Sequence, residues 1–174
     1  HSHGAELGHM VIEMTNPRRC GCGRRGCLEA YASATAVAGR ALDALARYSG
    51  PTALRGLVER NGAEALTARD VFTAAGQGDA LAERLVEETA YYLAVGATNA
   101  MHMIDPDMVV FGGGMIAAGE PFLERVRWHV RRLAFPVPAA RTQVRYAQLG
   151  TDAGFIGAAA CARQLHRARG LGAG

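Results

Sequence analysis

Cys20-Gly21-Cys22-Gly23-Arg24-Arg25-Gly26-Cys27 places three thiols within eight residues and separates them with three glycines. Glycine adopts backbone conformations closed to other residues, so such a stretch can wrap closely around an ion. Zinc is held by four nitrogen or sulfur ligands in a tetrahedron. The fourth ligand has to come from elsewhere. Cys161 lies in an Ala-rich helical stretch and reads as a small core residue. His9, in Glu6-Leu7-Gly8-His9, is close enough in sequence to fold back onto the loop. His9, Cys20, Cys22 and Cys27 therefore make the expected metal site; a redox-active thiol loop or chance clustering are the alternatives. Four protein ligands leave no open position, which is the pattern of a structural zinc. Glu6 and Glu29 flank the cluster as carboxylates.

Working outward, the 174 residues suffice for one domain with a sizeable core. Hydrophobic residues make up 49% and charged residues 20%, an ordinary globular balance. The net charge is +3 and the pI about 8.9. The excess is mostly Arg spread along the chain, as on a solvated surface, and no basic stripe for nucleic acid stands out. No apolar run reaches the roughly 18 residues needed to span a bilayer. The N-terminal His1-Ser2-His3-Gly4 lacks the pattern of a signal peptide. A cytoplasmic location is expected, with no membrane partner. Clustered thiols in that setting read as metal ligands, not as disulfides.

Met10-Val11-Ile12 reads as a short strand. Leu28 to Leu45 has helical spacing, interrupted by Ser33 and Thr35. A short helix is expected from Pro51, with proline in its first turn, to about Arg60, and Asn61-Gly62 ends it. Thr67 and Asp70 form a capping-box start. A long helix runs from Asp79 to about His102. Its apolar face from Leu85 to Met103 is expected to exceed what one domain of this size covers, which points to a homo-oligomer. Met108-Val109-Val110-Phe111 is a fully apolar strand ending in Gly112-Gly113-Gly114. A helix from Pro121 to Leu133 is stopped by Pro136 and Pro138. Val144 to Ala147 alternates as a strand, and a last helix runs from Thr151 to about Arg167. Asp152 is read as its cap. Strands alternating with helices make this an α/β chain. The tail from Gly170 to Gly174 is expected to be disordered.

Three segments together resemble the ROK family (repressors, open reading frames and kinases). They are Glu6-Leu7-Gly8-His9 with Cys20-x-Cys22-Gly23-x-x-Gly26-Cys27-Leu28-Glu29, Asp105-Pro106 with Val109-Val110-Phe111-Gly112-Gly113-Gly114, and Gly150-Thr151-Asp152-Ala153-Gly154-Phe155-Ile156-Gly157-Ala158-Ala159. They occur in family order across nearly the whole chain. The resemblance implies an actin-like ATPase (ribonuclease H-like) α/β fold with two lobes, of which residues 1–174 are the C-terminal one with its zinc-binding loop. Residues 1–30 would form the sugar and zinc segment and residues 105–169 the adenosine side.

By that resemblance Glu6 and Glu29 bind sugar hydroxyls, and His9 is both zinc ligand and sugar contact. Carboxylates suit this work, since charge-assisted hydrogen bonds to hydroxyls are the stronger kind. Gly112, Gly113 and Gly114 would approach the adenosine part of ATP; a tight turn alone would also explain them. The resemblance further implies an ATP-dependent hexose kinase using Mg, with glucose first among substrates, assembled as a homodimer or homotetramer. The family's Asp-x-Gly-x-Thr phosphate hairpin and its Asn-Asp pair, whose Asp acts as base, are not among Asp43, Asp70, Asp79, Asp105, Asp107 and Asp152. No catalytic residue is assigned in this chain, which is expected to be one half of a longer protein and inactive alone. A ROK sugar-responsive repressor is the alternative parent. A zinc-stabilised interaction module is the third reading, weakened by the presence of both Glu6 and Glu29.

Overall fold

The computed structural model describes residues 6–168, the side chains of Met115 and Thr151 excepted. The expectations for His1-Ser2-His3-Gly4 and for the Gly170 to Gly174 tail fall outside these residues. A 3-10 turn, Leu7–His9, opens the described chain. Helices α1 (Glu29–Ala32), α2 (Ala34–Leu45), α3 (Ala53–Asn61), α4 (Ala68–Gly76) and α5 (Ala80–Ile104) follow. Strand β1 (Met108–Phe111), helices α6 (Gly119–Leu133) and α7 (Pro136–Arg141), strand β2 (Gln143–Tyr146) and helix α8 (Ala153–Ala168) complete it. The chain is thus helix-rich α/β with one small parallel sheet.

Helix α5 is the axis of the fold. Asp79 caps its first turn by accepting from Ala82 N at 3.0 Å, and Asp105 ends it in the left-handed conformation (φ 45°). Its buried side chains include Leu81, Leu85, Val86, Leu93 and Met101. They pack against α1, α2, α4 and α6. Burying one such leucine contributes about 1.5–3 kcal/mol. The apolar face expected to need a partner chain is therefore covered inside this chain; Met103 and Ile104 remain exposed at its end. The homo-oligomer loses that support.

Strands β1 and β2 pair in parallel, Met108 with Gln143 through Phe111 with Tyr146, across the α6–α7 crossover. Val109, Phe111, Val144 and Tyr146 pack onto the core, while Met108, Val110, Gln143 and Arg145 face outward.

Several boundaries differ from expectation. Met10-Val11-Ile12 is not a strand but a single antiparallel bridge, Val11 with Cys27. The helix from Leu28 to Leu45 is two helices. Ser33 takes an extended conformation and its hydroxyl accepts from Ala36 N at 3.2 Å, so it caps α2 instead of continuing α1. Pro51 precedes the cap of α3, Thr52, and lies outside the first turn. Pro136 and Pro138 do end α6, and they also start α7, because proline's fixed φ suits a first turn. Cys161 is exposed, not a core residue. Helix α8 carries no buried residue, since no other described helix or strand packs closely on it. No helix of the described residues is long and apolar enough to cross a membrane.

Candidate metal and ligand site

The loop from Arg18 to Gly26 is a hairpin. Arg19 bridges Arg25, Cys20 N donates to Arg24 O at 2.8 Å, and Gly26 N donates to Arg18 O at 2.9 Å. Gly23 N donates to Cys20 O at 3.0 Å and closes the turn at φ 87°, a left-handed value that glycine takes readily. A second ladder runs alongside: Ile12 N donates to Gly26 O at 2.8 Å and Leu28 N to Met10 O at 2.9 Å. These bonds carry the 3-10 turn with His9 onto the hairpin. Gly26 sits where the ladders meet, at φ 83°; a Cβ there would lie 2.2 Å from Glu13 O.

Two contacts fix the hairpin to the core. Arg18 N donates to the Tyr31 hydroxyl on α1 at 2.7 Å. Leu28 lies against α5 at Gly96, where a Cβ would come within 2.4 Å of Leu28 Cδ2. Helix α1 is held in turn by Arg40, a buried guanidinium that donates at 2.9 Å to both Tyr31 O and Thr89 Oγ1 and pairs with Glu88. Its guanidinium also lies 5.1 Å from the centre of the Tyr92 ring.

These ladders bring all four predicted ligands together. The donor atoms of His9, Cys20, Cys22 and Cys27 lie within 4.8 Å of one another. Cys22 Sγ and Cys27 Sγ are 3.8 Å apart, and Cys20 Sγ is 3.7 Å from His9 Nδ1. A zinc tetrahedron with Zn–S about 2.3 Å and Zn–N about 2.0–2.1 Å has edges of about 3.8 Å between sulfurs and about 3.5 Å between sulfur and nitrogen. The donor set and these edges fit that ion. With Nδ1 turned to the thiols, Nε2 of His9 is on the outer edge of the ring.

Electrostatics support the fit. Burial pushes the Cys27 thiol up to about 11, and the neighbouring Cys22 and Cys20 add to the rise. The exposed Cys22 moves the other way, chiefly through the backbone N–H of Arg24. Three thiols packed this closely cannot all ionise without a compensating cation; a bound metal deprotonates them.

Glu29 is the first residue of α1, and its side chain lies along the cluster. Oε1 is 3.6 Å from Cys20 Sγ, and a Cβ on Gly8 would be 3.8 Å from Oε2. Glu6 precedes the 3-10 turn, and its carbonyl accepts from His9 N at 3.0 Å. Both side chains are exposed. One carboxylate, that of Glu29, and the His9 imidazole thus border the loop, and Glu6 stands at the start of the turn that carries His9.

Gly112, Gly113 and Gly114 stand elsewhere, just past β1. Gly113 has φ 70°, which favours glycine. Gly114 borders a cavity of about 590 Å³ between the starts of α2 and α4 and the 3-10 turn Gly113–Ala118. Ala34, Phe72 and Ala118 give it apolar walls, with Arg69 and Thr73 beside them. The sequence did not point to this cavity. The capping box of Thr67 and Asp70 was legible, but not that it places α4 opposite the glycines. Asp152 ends a 3-10 turn just before α8.

Residues 2–165 match the ROK family. A glucokinase from Halalkalibacterium halodurans is 37% identical over 152 residues, 87% of this chain and 45% of that protein. A ROK family glucokinase from Streptomyces griseus, solved in complex with glucose and AMPPNP, is 32% identical, with TM-score 0.74 over 92% of this chain and 52% of that one. A ROK family transcriptional regulator homologous to the E. coli MLC protein is 25% identical, with TM-score 0.66 over 80% of this chain and 33% of that one. The chain spans about half the length of the curated relatives it matches.

Proposed function

The chain belongs to the ROK family, and from that premise we propose that it is the sugar- and zinc-binding half of an ATP-dependent hexose kinase. The observation that carries the proposal is the four-ligand cluster with Glu29 lying along it. A structural ion needs the four ligands and neither carboxylate. Glu6 and Glu29, held beside a fixed loop, are suited to accept hydrogen bonds from sugar hydroxyls. His9 would serve twice, Nδ1 toward the metal and Nε2 toward a hydroxyl. Zinc, when bound, supplies rigidity, because four protein ligands leave it no position for water or substrate.

The cavity at Gly114 takes the adenosine part of ATP in this reading, with glycine backbone allowing close approach and Phe72 offering an apolar wall. Residues 1–30 then form the sugar and zinc segment and residues 105–169 the adenosine side. Glucose is the first candidate sugar, in line with the glucokinases among the relatives. Mg accompanies ATP, the base that activates the hydroxyl comes from outside these residues, and the whole enzyme is a cytoplasmic homodimer or homotetramer.

The test is a coupled ADP-release assay on the full-length parent. Glu29→Gln should raise KM for glucose at least about tenfold, as expected for losing a charge-assisted bond of about 1.5–3 kcal/mol. The variant's zinc content should not change. An unchanged KM removes Glu29 from the sugar site. The second reading, a sugar-responsive repressor, is favoured by the likeness to the transcriptional regulator. Absence of ATP turnover together with specific DNA binding by the full-length parent would select it.

A further inference from the structure

A groove of about 360 Å³ lies between the end of α2 and the first half of α5, on the flank of the hairpin. Its polar wall is mostly guanidinium. Arg18, Arg40, Arg47 and Arg84 line it, against only two carboxylates, Asp43 and Glu88. Both carboxylates are engaged. Arg18 Nη2 is 2.6 Å from Asp43 Oδ2, and the buried Arg40 pairs with Glu88. Among the described residues, Arg47 and Arg84 have no carboxylate within ion-pair distance. The Arg84 guanidinium lies 6.0 Å from the centre of the Tyr48 ring, which keeps it at the groove.

Four cations less two anions leave the groove with two uncompensated positive charges. A concave surface of one sign focuses its field on a counter-ion. Guanidinium forks match the oxygens of a phosphate group two at a time, and a dianion balances an excess of two. The volume is at the small end of ligand sites, enough for a phosphate on a small body. None of these residues belongs to the metal cluster or to the cavity at Gly114.

We infer that this groove binds a phosphomonoester dianion through Arg47 and Arg84, with Arg18 at its hairpin end. Arg18 links the groove to the metal loop. Its N–H donates to Tyr31 and its carbonyl accepts from Gly26 N, beside Cys27. An anion here competes with Asp43 for the Arg18 side chain, so the hairpin senses its arrival.

The experiment is calorimetric titration of the zinc-loaded chain with inorganic phosphate and, separately, glucose 6-phosphate. It is run at fixed ionic strength and at a pH high enough that the ester, with a second pKa of about 6, and inorganic phosphate, whose second pKa is higher, are both dianions. Saturable binding of one anion is expected. The double variant Arg47→Ala with Arg84→Ala, both at exposed positions, should weaken it at least about tenfold with an unchanged melting temperature. Arg131→Ala with Arg145→Ala, in another basic groove, should leave it unchanged. Tighter binding of the sugar phosphate assigns a role to the groove walls; equal binding assigns recognition to the phosphate alone. The inference is overturned if binding does not saturate, if the Arg47 and Arg84 variant binds like the unmodified chain, or if the control pair loses as much.

Discussion

At the scale of single residues, Gly26 is the most constrained position near the cluster of His9 and the three cysteines. It combines a left-handed φ with a carbonyl 2.2 Å from where a Cβ would stand. That carbonyl is backbone and cannot swing away. Gly26→Ala should cost about 2–4 kcal/mol, overpacking and left-handed strain together, and should lower bound zinc measured by metal analysis. Gly23, at φ 87° with open space around it, should lose less on the same change. Cys22→Ser removes one of four donors from an exposed position, so the chain should fold yet release its zinc. Undiminished metal content would dismiss the site. The raised pKa of Cys27 gives the pH dependence a sign. The folded, metal-free chain favours the thiol, so that stabilisation is full below about pH 9 and lost as pH climbs toward 11. Zinc needs the thiolate, so its uptake releases protons and strengthens as pH rises. Calorimetry in two buffers of different ionisation heat would detect the release.

At the scale of elements, Arg40 ties α1, α2 and α5 together beneath the site. Arg40→Ala strands the Tyr31 carbonyl and opens packing around Tyr92; a loss of about 2–3 kcal/mol is expected. This is a fall of roughly 5–10 °C in melting temperature for a chain of this size, read by calorimetry. Arg40→Lys keeps the charge without the fork and should recover less than half. None of this network was legible in the sequence, because it joins residues 49 positions apart. What was legible was local. Thr67 with Asp70, Asp79 at the start of α5 and the apolar run Met108–Phe111 each state their structure within a few residues. The four donors were legible because sulfur and imidazole at short spacing have few other uses. Ser33 was harder: a serine in an Ala-rich stretch can extend a helix or restart one, and packing against α5 decides. Cys161 was misread because a small apolar residue in a helix looks the same whether or not another element covers it.

At the scale of the whole molecule, the hairpin and the crossover from β1 to β2 lean on one helix from different sides. A chelator that strips the ion should therefore loosen the hairpin first and leave the contact of α5 with α6 standing. The expected loss is roughly 5–10 °C in melting temperature, with the far-ultraviolet signal of α5 retained after chelation at room temperature. Collapse of all helicity on chelation would mean that the metal holds more than its own loop. Exposed apolar side chains also stand on the outer sheet face (Met108 and Val110), at the start of α7 (Phe135 and Val137) and on α8 (Phe155).

All four donors fall between residues 9 and 27, ahead of every long-range contact the loop makes with α5. Closing so short a loop costs little chain entropy, whereas Met10 must wait for Asn99, 89 positions on. A zinc ion held by these four as proposed would thus be captured, during synthesis or refolding, before its supporting helix exists. The order of events becomes metal first, docking second. In stopped-flow refolding with cobalt in place of zinc, the thiolate charge-transfer band should rise ahead of the tertiary signal from the tyrosines.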